Sequence, residues 1–163
     1  MIRNLINKWG TTLYVQIWEN RIKVTDVNTN KVFDEKPLVQ VEVKKNGVQV
    51  ITAIGDAANF NSTNPFSHPR VLFADFFVAE KLLQHIIKQL IGKTFFSPAP
   101  AIVLHPMEKT EGGLTMIENR AFMELALSAG AREAVIYQGT ELSPALINFK
   151  DLVIKEKMKI VGN

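Results

Sequence analysis

The chain has 163 residues, 47% hydrophobic and 21% charged, the proportions of one globular domain rather than of a disordered chain. It contains no cysteine, which excludes disulfides, thiolate metal cages and cysteine nucleophiles. Its net charge of +3 is too small to argue for nucleic-acid binding, and with no apolar run near the ~18 residues of a membrane span and no signal peptide, a cytoplasmic protein is expected.

In chain order, Leu13, Val15 and Ile17 alternate with Tyr14, Gln16 and Trp18, the period-two pattern of a strand. Glu19-Asn20 can turn the chain into a return strand through Ile22 and Val24, because Asn tolerates the positive φ such turns use. Residues 38–43 form the third strand candidate. Asn46-Gly47, set between that run and residues 48–54, predicts a hairpin with a type I′ turn. Together these pieces read as an antiparallel meander. Gly55 ends it, and residues 56–67 are a polar loop with one helical turn at 56–59, kept from extending by Pro65 and Pro69.

The second half alternates helix and strand. Asp75 caps a helix running to about residue 91, with Val78, Leu82, Leu83, Ile86, Ile87 and Leu90 on one face and Gly92 as the stop. The apolar run 101–105 lies between prolines and reads as an interior parallel strand. Thr115, with Glu118 three residues on, forms a capping box for a second helix. Its stripe is Ile117, Ala121, Phe122, Leu125 and Ala126, and Gly130 ends it. Residues 133–138 are a further strand, and Ser143-Pro144 starts a short third helix. The charged tail from Lys150 keeps Leu152, Val153, Ile154, Met158, Ile160 and Val161, compatible with a last strand or with a helix packing back. The order β-β-β(β)-α-β-α-β-α makes an α/β fold, a mixed sheet with helices on its faces, of ribonuclease-H-like topology.

Three stretches carry a more specific likeness. Ala53-Ile54-Gly55-Asp56-Ala57-Ala58 is similar to the AVGEEA segment of MreB, the rod shape-determining bacterial actin family. The run from Ala74-Asp75-Phe76 to His85-Ile86-Ile87 resembles its ADFxVTExMLxxFI helix. Glu118-Asn119-Arg120-Ala121 through Ala129-Gly130-Ala131-Arg132-Glu133 resembles its EKRAVxEAAEQAGAREV. The likeness keeps the same order from about Leu13 to Ile147.

The resemblance implies an actin-like ATPase subdomain and, with it, a phosphate loop in which a strand ends in Asp-x-Gly-Thr. The acid helps hold Mg²⁺ and the glycine lets backbone N–H groups approach phosphate. Here Trp18 stands in the place of the Asp and Asn20 in that of the Gly. The family's water-positioning Glu-Glu-Pro is matched by Tyr137-Gln138-Gly139-Thr140, so Gln138 and Gly139 occupy those positions. The family's second phosphate loop, Asp-x-Gly-Gly-Gly-Thr, and its adenosine-binding half have no counterpart in these residues, and Gly112-Gly113 lacks the Lys-Ser/Thr of a P-loop. A single degenerate lobe is therefore expected: not an enzyme, with no catalytic, cofactor-binding or metal-binding residues and no cofactor. Its partners would be itself or an actin-like filament protein, in a cell-shape or membrane-associated cytoskeletal complex. The competing reading is a nucleotide-binding actin-like ATPase that completes its site by oligomerisation.

His68, His85 and His105 match no metal-ligand spacing. His85 reads as solvated, and His105 sits at a strand end where α/β proteins place ligands, beside the structural corner of Pro106. A nuclease would need several acids at the strand ends, and only Glu19 is offered. At the N-terminus, Ile2, Leu5, Ile6 and Trp9 fall at i, i+3, i+4 and i+7, beside Arg3 and Lys8. That pattern fits a helix docked on the domain or on a partner, or a weak interfacial membrane contact at the inner membrane face. The expected organisation is an amphipathic segment at 1–10, the domain at 11–149 and a tail at 150–163.

Overall fold

The computed structural model describes residues 10–92 and 98–161; Ile2, Leu5, Ile6 and Trp9 lie outside them. Three antiparallel strands open the chain: β1 (Thr12–Trp18), β2 (Arg21–Asp26) and β3 (Val32–Glu35). A separate hairpin follows, β4 (Val39–Val43) with β5 (Gln49–Ile54). Then come α1 (Phe76–Ile91), β6 (Ala101–Pro106), α2 (Met116–Ser128), β7 (Glu133–Ile136) and α3 (Phe149–Val161). The main sheet has the order β3-β2-β1-β6-β7, with β6 parallel to both β1 and β7.

Burial on both faces makes β1 and β6 central. Leu13, Val15 and Ile17 of β1 face a large core shared with α1 and α2, while Tyr14 faces a smaller one with Val103, Val135 and Leu152. All six residues of β6 are buried, as expected for a strand covered on both sides. α1 is capped by Asp75, whose carboxylate accepts from the Val78 N–H at 3.0 Å, and ends at Gly92, φ 83°. α2 has the capping box of Thr115 and Glu118. The tail is a helix: α3 packs on the sheet face opposite α1 and α2 through Leu152, Phe149 and Val153.

Four expectations need correction. The third strand of the sheet is β3, not residues 38–43, which pair with β5 and, through Val39, with Thr63, and which pack with β5 on the large core through Val41, Ile51 and Ile54. The hairpin turn is not type I′: Gly47 alone takes a positive φ, 78°, while Asn46 does not. Lys44 N–H donates to Val48 O and Gly47 N–H to Lys44 O, so a longer loop places its glycine in the left-handed position. The β1–β2 turn also uses no positive φ at Glu19 or Asn20; Asn64 holds it from outside, its Nδ2 donating to Glu19 O at 2.7 Å and approaching Asn20 Oδ1 at 3.4 Å. Ile117 is 82% exposed, because it lies in the first turn of α2, ahead of Phe122, where the helix meets the core.

Candidate functional site

Register brings the ends of β1, β6 and β7 to one rim of the sheet. Ile17 sits beside Pro106, and Leu104 beside Ile136, so Trp18 follows level with Met107, and Tyr137 level with His105. Trp18 and Asn20 are thus on the same rim as Gln138 and Gly139, but β6 runs between them, a gap of roughly 10 Å at two strand spacings.

At the β1 corner, the half-buried Trp18 ring lies under the Arg21 guanidinium, 4.7 Å from its centroid. Arg21 is fixed by a two-pronged bond to Asp34, 2.7 Å for each contact. The guanidinium holds the Asp34 carboxyl below its usual range, and the carboxylate in turn raises Arg21. The Glu19 N–H donates to Glu108 Oε2 at 2.7 Å. The Glu19 carboxylate pairs with Lys109 at 2.9 Å and accepts from Ser67 Oγ at 3.3 Å. Hydrogen bonding to Lys109, then its charge, holds Glu19 below the usual carboxylate range. Lys109, at φ 56°, also donates to His68 O. Turn 19–20, loop 64–68 and residues 108–109 are in this way tied to one another.

Beyond β7, Gln138 turns its side-chain carbonyl to accept from Leu114 N–H at 2.8 Å, holding the entry to α2. Gly139 meets a steric demand: a Cβ there would stand 2.6 Å from Tyr137 Oη, which donates to Thr140 O. Its carbonyl takes the Nε2–H of His105 at 3.0 Å. A carbonyl can only accept, so the proton is on Nε2, and Nδ1 accepts from the Tyr14 hydroxyl at 2.7 Å. Tyr14 Oη in turn accepts from Leu142 N–H at 3.1 Å. Gln16, 1% exposed, donates to Glu141 Oε1 at 2.8 Å. Tyr14, Gln16 and His105 thereby hold segment 139–142 against the sheet. Burial pushes Tyr14 up to about 12 and His105 below its ordinary value.

His105 is a buried tether of this loop, whereas His85 is exposed on α1. The sequence reading missed Glu108, Lys109, Asn64 and Tyr14; their signal was only a charged pair directly after a strand end and an Asn-Pro loop. Among the described residues no three His, Asp or Glu side chains converge as a metal-ligand set. The groups at the β1 corner do not fit a magnesium–phosphate cradle: an indole, which offers no oxygen, stands at the end of β1, and the Glu19 amide already carries a carboxylate.

This strand order, with helices on both faces, defines a ribonuclease-H-like lobe of the actin-like ATPase type. Among solved structures, MreB5 of Spiroplasma citri bound to ADP shares the fold with a TM-score of 0.58 at 18% identity, over 80% of this chain and 39% of that one. No protein-family model matches the chain. The cell shape-determining protein MreB of Pasteurella multocida (strain Pm70) is 34% identical over 115 residues, 66% of this chain and 32% of that protein. The uncharacterized protein YjaA of Escherichia coli (strain K12) is 36% identical over 124 residues, 73% of this chain and 76% of that protein. The chain belongs to the family of YjaA and is an MreB relative, spanning about a third of the length of the MreB protein it matches.

Proposed function

We propose that this chain is a non-enzymatic MreB-like protein acting through surface contacts, with itself or with an actin-like filament protein, in a cytoplasmic, membrane-peripheral assembly linked to cell shape. The observation that carries the reading is the bond from the Glu19 N–H to the Glu108 carboxylate. In a lobe of this type a free amide at the end of the first strand is an anion site. Here a protein carboxylate fills it, with Glu19 and its Lys109 partner beside it. A polyphosphate would have to displace that charge-assisted bond and then sit against two acids. Trp18, clamped under Arg21, supplies no metal-linked oxygen.

The competing reading is a nucleotide-binding ATPase whose site is completed by a second chain. Thermal unfolding with millimolar ATP and Mg²⁺ separates the two. A ligand at 100 times its Kd adds about 2.7 kcal/mol, which moves the melting temperature of a chain this size by about 5–10 °C. The expected shift is nil, and one of that size would reverse the assignment. Co-pelleting with a purified MreB, alongside light scattering of the chain alone, tests the interaction role. A monomer that neither self-associates nor pellets would refute it.

A further inference from the structure

α3 carries two apolar stripes. Phe149, Leu152 and Val153 face the sheet, and Leu152 is 8% exposed. Ile154, Met158 and Val161 follow at i, i+4 and i+7 and are 54%, 61% and 87% exposed. At 3.6 residues per turn this second stripe lies on the opposite side of the helix. Lys150 and Lys157 border it on one side and Lys155 on the other, all exposed. None of the three makes an ion pair among the described residues. Lys159, by contrast, is drawn toward the sheet side by Glu156 at 2.6 Å, Gln138 O at 3.3 Å and the Tyr137 ring at 5.6 Å. Asp151 is the one acid on the outer face, in the first helical turn where the helix dipole favours it. Leu146, 82% exposed, extends the apolar surface beside the helix, around a cavity of about 220 Å³ that it lines with Asp151 and Lys155.

We propose that this outer face of α3 docks on an anionic lipid bilayer. Charge selects the occupant. A second copy paired through the same face would bring Lys150, Lys155 and Lys157 against identical lysines, whereas an anionic surface neutralises all three. The geometry suits an interface: a convex apolar ridge enters the boundary between headgroups and acyl chains while the bordering lysines extend to the phosphates. Three apolar side chains and three lysines make a reversible contact that gains strength when several chains act together. The inference rests on the membrane-peripheral part of the proposed function and gives that contact a surface away from the nucleotide corner.

The test is flotation of the full chain with vesicles of phosphatidylcholine alone or mixed with phosphatidylglycerol. Two variants accompany the wild type, Ile154→Ser with Met158→Ser, and Lys150→Gln with Lys155→Gln and Lys157→Gln. The replaced side chains are exposed, so melting temperature and its response to ATP stay at wild-type values, which separates this test from that of the proposed function. The wild type is expected to float with the anionic vesicles and not with the neutral ones. The lysine variant should lose partitioning by roughly fivefold for each charge removed, and the apolar variant by about tenfold or more. Equal flotation on neutral vesicles, no flotation on anionic ones, or variants that float like the wild type would overturn the proposal. So would binding to polyglutamate without flotation, which assigns the face to an acidic protein.

Discussion

The Tyr14 hydroxyl links His105 to segment 139–142, and Tyr14→Phe removes it with little change of shape. The hydroxyl donates to His105 Nδ1 at 2.7 Å and accepts from Leu142 N–H at 3.1 Å. Without it, His105 has no good tautomer. With the proton on Nε2, Nδ1 is buried without a donor; with the proton on Nδ1, that N–H has no acceptor and Nε2 faces the Gly139 carbonyl. A buried unpaired group costs about 1–3 kcal/mol. The Leu142 amide, only partly buried, adds about 1 kcal/mol. The expected loss is therefore about 2–4 kcal/mol, or a fall in melting temperature of several degrees for a chain of this length. Urea unfolding at neutral pH measures it, with an unchanged m-value showing that the effect lies in the native state. A loss below about 0.5 kcal/mol would mean the hydroxyl is not the partner of His105, and the account of how segment 139–142 is held would fall.

Other outcomes follow from the same contacts. Burial keeps His105 below its ordinary 6.5 in the native chain, so the unfolded chain takes up its proton first; the contribution is full above 6.5 and lost as pH falls from there toward the native value. Denaturant midpoints in that window should decline with acidity, and a His105→Asn variant with an undiminished slope would contradict this; the paired acids Glu19 and Asp34 lose their contributions only at lower pH, below their ordinary 4.5 and 3.8. Asp75→Ala removes the acceptor of the Val78 N–H and should cost about 1 kcal/mol in chemical denaturation. Gly55→Ala places a Cβ at φ 64° against Glu35 Oε2, disturbing the bond from Asp56 N–H to that oxygen, and should cost about 1–2 kcal/mol; a neutral result would show that this corner accepts a side chain. Phe122→Ala in the large core should cost about 3–5 kcal/mol, measured the same way.

Where structure follows from local chemistry, the sequence was sufficient. Asp75, Gly92, Thr115 and Glu118 mark helix ends because capping involves neighbours only, and the run 101–105 between prolines announced an interior strand. β3 escaped notice because an edge strand of four residues commits only Phe33 to the core, while Val32 stays 48% exposed. Residues 152–154 are consecutive apolar side chains that suit a strand as well as a helix. Their division between two sides of α3 becomes plain only when Leu152 is seen against Tyr14 and Val103. At the β1 corner, Trp18 and Asn20 could be read as departures from a family pattern. The carboxylate that fills the corner could not, since Glu108 reaches the Glu19 amide across 89 residues of chain. The same holds for Tyr14 and His105, which are 91 residues apart.

The two faces of the sheet are unequally anchored. α1 and α2 share most of the buried side chains, whereas α3 is fastened by Leu152 together with its partly buried neighbours. α3 should therefore peel away in a sub-global opening that leaves β1 and β6 intact, its amides exchanging with solvent deuterium well before theirs. Such an opening frees Lys159 from Gln138 and Tyr137 and bares the Tyr14 side of the sheet, so that the C-terminal helix behaves as a hinged flap on an otherwise rigid slab.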